Sequence, residues 1–119
     1  MLINKVWTYC RVANNNDDAV SNQYHCLKDY AKKQDLEIIG GTQDIASGLD
    51  YSRAGLKEVM NVAKKHRIDA ILVKDISRIG RDMTRTLDYI REINSYGVEI
   101  IAADGKADGK ILDIDNIFR

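Results

Sequence analysis

The hydrophobic pattern of the chain alternates between strand-like and helix-like stretches. Four short stretches rich in apolar, β-branched or aromatic residues have the character of β-strands: 5–12, 36–40, 70–73 and 98–103. Side chains in the first alternate between two faces, so Trp7 and Tyr9 share one face and Cys10 lies on the other. The third, Ala70 to Val73, is apolar throughout, as is typical of a strand covered on both faces.

Three stretches between these strands repeat apolar residues at helical spacing, which predicts amphipathic helices. The first is predicted at about 18–34. A small-residue loop at 42–50 precedes the second, which Ser52 can cap. Gly97 is expected to end the third at its C′ position, and after a turn-rich loop at 104–110 the segment 111–119 could begin another helix or strand. The predicted buried faces are Val20, Tyr24, Leu27 and Ala31 in the first helix, Leu56, Val59, Met60 and Ala63 in the second, and Met83, Leu87, Ile90 and Ile93 in the third.

This alternation predicts an α/β fold with three layers, in which a mostly parallel sheet of about four strands has helices on both faces. In such sheets, ligands bind outside the carboxyl ends of the strands. Arg11 lies at the end of the first strand, Ser47 lies in the loop after the second, and Arg78 and Arg81 follow the third. We therefore expect three separate segments to meet at one edge of the sheet.

Arg78 and Arg81 are three residues apart, with a glycine directly before the second of them. A guanidinium group is a planar fork of donors that matches phosphate oxygens and stays charged at cellular pH. The start of the helix that follows would add free N–H groups and the positive end of its dipole. This segment therefore indicates a phosphate-binding corner, although a pair of solvated surface arginines would produce the same local pattern.

Composition bounds the possible functions. The chain has 119 residues, enough for one domain, and its 18 basic and 18 acidic residues balance. Neutral charge argues against a free-standing, tight nucleic-acid binder, although segment 64–85 has seven basic and three acidic residues. The two cysteines and two histidines suggest neither a disulfide framework nor a metal site. The N-terminal residues resemble neither a signal peptide nor a membrane span, so we expect a cytoplasmic protein.

Four segments resemble the serine recombinases, also called the resolvase/invertase family. Tyr9 to Val12 resembles the opening Tyr-x-Arg-Val-Ser motif, and Gln23 resembles a glutamine of the following helix. Asp44 to Gly48 with Arg53 resembles the segment Asp-x-x-Ser-Gly…Arg. Val73 to Asp82 resembles the second arginine signature, in the serine-containing version common among large transposon-type members. The resemblance runs from about residue 6 to residue 103, in the family's order.

The resemblance implies a catalytic domain for site-specific DNA recombination in mobile elements. In that family a serine hydroxyl attacks the DNA backbone, forms a 5′-phosphoserine link and releases a 3′ hydroxyl. Four subunits cut both duplexes, exchange half-sites and reverse the chemistry. No metal or nucleotide cofactor is needed, because the phosphoserine link preserves the energy of the broken bond.

The resemblance also implies roles for individual residues. Arg11, Arg78 and Arg81 would clamp the scissile phosphate, whose charge grows in the transition state. Ser47 and Arg53 would lie behind them. Gln23 would help to order the site. The residues expected to contact DNA are Arg11, Gln23, Arg78, Arg81 and Arg85.

Position 13 departs from the family pattern. Ala13 stands where the family has its nucleophilic serine, and a methyl group cannot attack phosphorus. Ser77 is a possible replacement, but serine at this position also occurs in members that keep the first serine. Two explanations follow: a non-catalytic pseudo-recombinase that binds or regulates recombinase–DNA complexes, or an engineered substitution that stops the chemistry of a recombinase.

Family members continue into a long dimerisation helix and a DNA-binding domain, which these 119 residues lack. We therefore expect a fragment that binds DNA weakly by itself, forms a homodimer and joins a tetramer in the synaptic complex. A third hypothesis is a receiver-like or flavodoxin-like signalling domain. It is disfavoured because Asp17 and Asp18 lie too far from the first strand to form the acidic cluster that receivers need.

Overall fold

The structure is a computed structural model that describes residues 3–14, 17–65 and 67–104. These residues form seven main elements: β1 (Lys5–Val12), α1 (Asp17–Lys33), β2 (Glu37–Ile45), α2 (Ala54–Lys64), β3 (Ala70–Val73), α3 (Met83–Ser95) and β4 (Glu99–Ala102). A short 3₁₀ turn, Ile76–Arg78, lies between β3 and α3. The sequence predictions for 105–119 lie outside the described residues.

The four strands form one parallel sheet in the order β2-β1-β3-β4. Successive residues of β3 point to opposite layers: Leu72 packs in the cluster that contains Leu27 of α1. Val73 packs in the second cluster, together with Leu56 of α2 and Ile90 of α3. Helices therefore cover both faces, and the predicted three-layer α/β fold is confirmed.

β2 is longer than predicted, because Thr42 to Ile45 continue the strand instead of forming a loop. The strand pairs with β1 from Lys5 opposite Glu37 to Val12 opposite Ile45, with a shift of register between Val6 and Trp7 that leaves Ile39 without a partner in β1. Gly40, which by sequence ends the strand, instead lies against the Trp7 ring, where a Cβ atom would overlap the aromatic carbons. The glycine is thus needed for close approach rather than for a turn.

The start of α2 also differs from the prediction. Ser52 does not cap the helix; its hydroxyl and its N–H both donate to Asp50 Oδ1, at 2.6 and 2.9 Å. The N–H of Gly55 in the first turn donates to Asp44 Oδ1 at 2.9 Å instead. A carboxylate at the end of β2 therefore satisfies one of the free donors of α2, which a search for local caps cannot detect.

The helix faces otherwise follow the predicted pattern. The whole predicted stripe of α2 is buried, as are Leu27 and Ala31 of α1. In α3, however, Met83 is 63% exposed, and Thr86 is buried one turn later. Gly97 has φ of 78° just after α3, which confirms the predicted C′ position.

Candidate functional site

The carboxyl ends of β1, β2 and β3 meet at one edge of the sheet. The N–H of Arg81, after β3, donates to the carbonyl of Gly48, after β2, at 3.0 Å. The guanidinium group of Arg11, at the end of β1, bonds to main-chain carbonyls of both neighbouring segments. The segments after β1, β2 and β3, which were predicted to meet at one edge of the sheet, are therefore in contact.

Arg11 is only 2% exposed and serves as the connector between the segments. Its Nη1 donates to the carbonyl of Ala46 at 3.1 Å, and its Nη2 donates to that of Ser77 at 2.8 Å. Its Nε donates to the carbonyl of Arg78 at 3.1 Å. Main-chain carbonyls thus use three of its five N–H donors. The direct clamp on a phosphate that the resemblance implies stays a prediction.

Arg53, directly before α2, is 4% exposed and lies behind the same segments. Its Nη1 donates to the Tyr9 hydroxyl at 3.0 Å and to the carbonyl of Arg78 at 3.1 Å, and its Nη2 donates to the carbonyl of Ile79. The Tyr9 hydroxyl in turn donates to Asp44 Oδ2 at 2.7 Å. Arg53 thus holds the turn after β3 through the carbonyls of Arg78 and Ile79.

Arg78 and Arg81 are closer to solvent. The Arg78 side chain is 25% exposed; its Nη1 donates to the carbonyl of Arg11 at 3.2 Å, and its Nε lies 3.5 Å from Asp75 Oδ2. Arg81 is exposed, and its aliphatic part lies over Gly48, where an added Cβ would come within 2.7 Å of Arg81 Cγ. These two guanidinium groups are the ones that can reach an incoming ligand.

The site has an excess of positive charge. Among the residues that the structure describes, Arg78 alone of these four arginines has a carboxylate within 4.0 Å. Main-chain carbonyls accept hydrogen bonds from Arg11 and Arg53 but do not neutralise their charge. Burial, followed by the nearby charges of Arg53 and Arg78, lowers the pKa of Arg11 from its ordinary value. Such a cluster favours an anion with several oxygens.

The helix terminus contributes less than the sequence suggests. Asp82 caps α3, since its Oδ1 accepts from the N–H of Arg85 at 3.1 Å. Asp75 likewise accepts from the N–H of Ser77 at 3.0 Å, and also from the Ser77 hydroxyl. Because the protein's own carboxylates occupy these donors, the arginines rather than a free helix end provide the attraction for an anion.

The other predicted site residues occupy different places. Gln23 is 3% exposed and bonds to the main chain of Arg11, so its amide is directed at the protein rather than at a ligand. Ser47 is exposed, and its Oγ accepts from the N–H of Leu49 at 3.1 Å. The Arg85 guanidinium lies 5.8 Å from the centre of the Tyr51 ring. Ala13 is exposed and is the first residue beyond β1.

Three residues that hold the site together were not among the predicted site residues: Tyr9 and Asp44, which begin two of the family-like motifs, and Tyr51. Tyr9 is 1% exposed, and burial is the main reason that its pKa is raised above the ordinary tyrosine value. The alternation of β1 places Tyr9 on a face that can be buried, and a buried tyrosine hydroxyl needs a hydrogen-bond partner. The sequence therefore contained a signal for the role of Tyr9. No sequence signal marked Tyr51, whose partners lie about 30 residues away.

The sequence model of the family described as "Resolvase, N terminal domain" matches residues 6–116. The chain belongs to this family. The match covers most of the chain, and it replaces the receiver-like hypothesis.

Solved structures share the fold of this resolvase domain. The C-terminal catalytic domain of ISC1926 TnpA, an IS607-like serine recombinase, is 23% identical with a TM-score of 0.79; the alignment covers 86% of this chain and 72% of that one. The N-terminal catalytic domain of TP901-1 integrase is 21% identical with a TM-score of 0.77, over 84% of this chain and 78% of that one.

A resolvase family site-specific recombinase from Streptococcus pneumoniae is 23% identical with a TM-score of 0.77, and the alignment covers 97% of this chain and 80% of that one. The resolvase domain thus has the fold of serine recombinase catalytic domains. In its described residues, each helix is too short or too polar to cross a lipid bilayer. The same residues contain no cluster of three or more His, Cys, Asp or Glu side chains that could hold a metal ion.

Proposed function

We propose that this resolvase domain binds the phosphodiester backbone of DNA at its arginine cluster, as a strand-exchange catalytic domain whose nucleophile position holds alanine. One observation carries the proposal: four guanidinium groups from three segments converge at the carboxyl edge of the sheet, and within the described part of the chain they have a single carboxylate partner. A phosphodiester supplies the negative oxygens that such a cluster lacks.

The four arginines have different proposed roles according to their exposure to solvent. Arg78 and Arg81 face solvent and would contact the non-bridging oxygens of the phosphate. Arg11 and Arg53 are buried and hold the carbonyls of the turn after β3, so they fix the site and add positive potential from behind. Preorganised charge of this kind stabilises the additional charge of a phosphoryl-transfer transition state.

Ala13 decides what this chain can do with a bound phosphate. In a serine recombinase the hydroxyl oxygen bonds to phosphorus and the bond to the 3′ oxygen breaks. Ala13 offers only a methyl group, so this polypeptide would bind the phosphate without forming the covalent link. In such a role it would form a homodimer and enter a tetramer with DNA.

A second candidate function is a non-catalytic regulator that assembles with active recombinases on DNA. The alanine at position 13 beside an intact arginine network favours it, because a binding role retains the arginines without needing a nucleophile.

The Ala13→Ser variant distinguishes these functions. Joined to a DNA-binding domain and incubated with a duplex carrying the cognate site of that domain, it should form a protein–DNA adduct that survives denaturing electrophoresis. Ala13→Ser with Arg78→Ala is the matched control, and it should form at least about 100-fold less adduct. A folded, DNA-bound Ala13→Ser variant that forms no adduct would contradict the catalytic assignment and leave the regulator.

A further inference from the structure

The Tyr51 hydroxyl binds the turn that carries Arg81. It donates to the carbonyl of Asp82 at 3.0 Å and accepts from the N–H of the same residue at 3.0 Å. It also shares a hydrogen bond with the Thr86 hydroxyl at 2.7 Å. One side-chain oxygen thus holds both main-chain polar groups of the residue after Arg81.

Arg81 is consequently tied on both sides to one loop. Its own N–H donates to the carbonyl of Gly48, and the next residue is held by Tyr51, three positions further along the same loop. Gly48 also supports the aliphatic part of the Arg81 side chain. The loop between β2 and α2 therefore holds the main chain on both sides of Arg81 and supports the aliphatic part of its side chain.

Close packing maintains this arrangement. Tyr51 lies so near Gly80 that a Cβ on that residue would overlap the phenol oxygen and ring. The Tyr51 ring also lies 5.6 Å from the Arg53 guanidinium and 5.8 Å from that of Arg85, both measured to the ring centre. Such distances are typical of cation–π contacts.

We infer that Tyr51 is a positioning residue: its hydroxyl fixes the Gly80–Asp82 turn and so directs Arg81 at the bound phosphate. This inference rests on the proposed function for its consequence in DNA binding. The structural part of the inference can be tested without DNA.

The first test is amide hydrogen exchange of the unaltered chain, Tyr51→Phe and Tyr89→Phe. Tyr89 is the matched control, because its hydroxyl also donates to a main-chain carbonyl, that of Leu56, at 2.6 Å. The Arg81 amide is the reporter, since it bonds to Gly48 and not to Tyr51. Tyr51→Phe should speed its exchange about fivefold to tenfold, and Tyr89→Phe should leave it within about twofold. Unchanged protection of Arg81 in a folded Tyr51→Phe protein would overturn the inference.

The second test is a double-mutant cycle for binding of a short DNA duplex, followed by fluorescence anisotropy over a salt series. Tyr51→Phe should weaken binding about fivefold in the unaltered chain but less than about twofold in the Arg81→Ala background. It should also reduce the dependence of affinity on salt, because a phosphate contact is lost. Equal losses of affinity in both backgrounds would contradict an action through Arg81. The control variant Tyr89→Phe should leave the affinity unchanged.

The two tests fail in different ways. If Arg81→Ala does not alter DNA binding, the proposed function fails, and the exchange experiment alone decides whether Tyr51 positions the turn. If Arg81→Ala weakens binding but Tyr51→Phe does not, the proposed function stands and the role of Tyr51 is refuted.

Discussion

The side-chain amide of Gln23 binds both main-chain polar atoms of Arg11. Gln23 Oε1 accepts from the N–H of Arg11 at 3.1 Å, and Nε2 donates to its carbonyl at 3.1 Å. β3 pairs with β1 only opposite Val6, Trp7 and Thr8, so Arg11 lies beyond the end of that pairing. The amide from α1 therefore takes the place that a neighbouring strand would fill, and the strand keeps its extended form up to the site.

Gln23→Ala should lower the free energy of unfolding by about 2 kcal/mol, because the buried N–H of Arg11 loses its side-chain acceptor and its carbonyl keeps only the bond from Arg78 Nη1. Urea denaturation measures the change. Asn22→Ala, an exposed position next to it on α1, should change stability by less than about 0.5 kcal/mol. Equal stabilities of the two variants would mean that water replaces the amide at no cost.

Arg53→Lys should cost about 3 kcal/mol of stability although it preserves the charge. A lysine ammonium cannot reproduce the planar fork that reaches the Tyr9 hydroxyl and two carbonyls at once, so buried acceptors are left unpaired. Arg91→Lys is the control, because Arg91 is exposed on α3 and pairs with Asp88 in the neighbouring turn. A loss from Arg53→Lys as small as that of the control would show that the fork is not required.

Asp69 should make the domain more stable above its pKa than below it. The N–H groups of Lys5 and Asn4 donate to its carboxylate, both at 2.9 Å, and these bonds lower its pKa below the ordinary aspartate value. The stabilisation is therefore fully present above the unfolded-state pKa of about 3.9 and disappears as the pH falls through the lower folded-state value.

Unfolding measured from neutral to strongly acidic pH should show that Asp69→Asn is less stable than the unaltered chain at neutral pH. The difference should shrink to the pH-independent cost of the substitution once the carboxyl is protonated in both states. A difference that stays constant with pH would contradict the role of the charged form.

Cys26 should react with iodoacetamide well before Cys10. Burial raises the pKa of the Cys10 thiol to about 11, so the reactive thiolate is scarce at neutral pH, and the side chain is only 2% exposed. Cys26 is partly exposed on α1. Intact-mass measurement should show one rapid modification in the folded protein and a second after denaturation. Cys26→Ser should abolish the rapid one, and rapid modification of that variant would show that Cys10 is accessible.

Local patterns predicted the elements because each depends on residues close together in the chain. The stripe of α2 at Leu56, Val59 and Met60 is buried as its spacing requires, and the strand Ala70–Val73 was recognised from its unbroken apolar run. The meeting of Arg11, Ser47 and Arg78 at one edge also followed from sequence, since parallel strands place their carboxyl ends together.

The errors arose where the deciding partner is distant. The second strand was predicted to end at Gly40, before a loop at 42–50, but pairing with β1 continues the strand to Ile45. Ser52 has the chemistry of a helix cap, yet Asp44 from the preceding strand supplies the bond. Rules for strand ends and helix caps consider only residues close in sequence, so they miss partners that are brought near by folding.

The same distinction applies to the site. The sequence by itself determined which arginines lie at the carboxyl edge of the sheet, because each of them follows a strand of a parallel sheet. It also determined that position 13 has no hydroxyl, because the residue there is alanine. Only the tertiary structure decided which guanidinium groups are buried against carbonyls and which face solvent. That division depends on the carbonyls of Ala46, Ser77 and Arg78, whose positions are set by the packing of three separate segments.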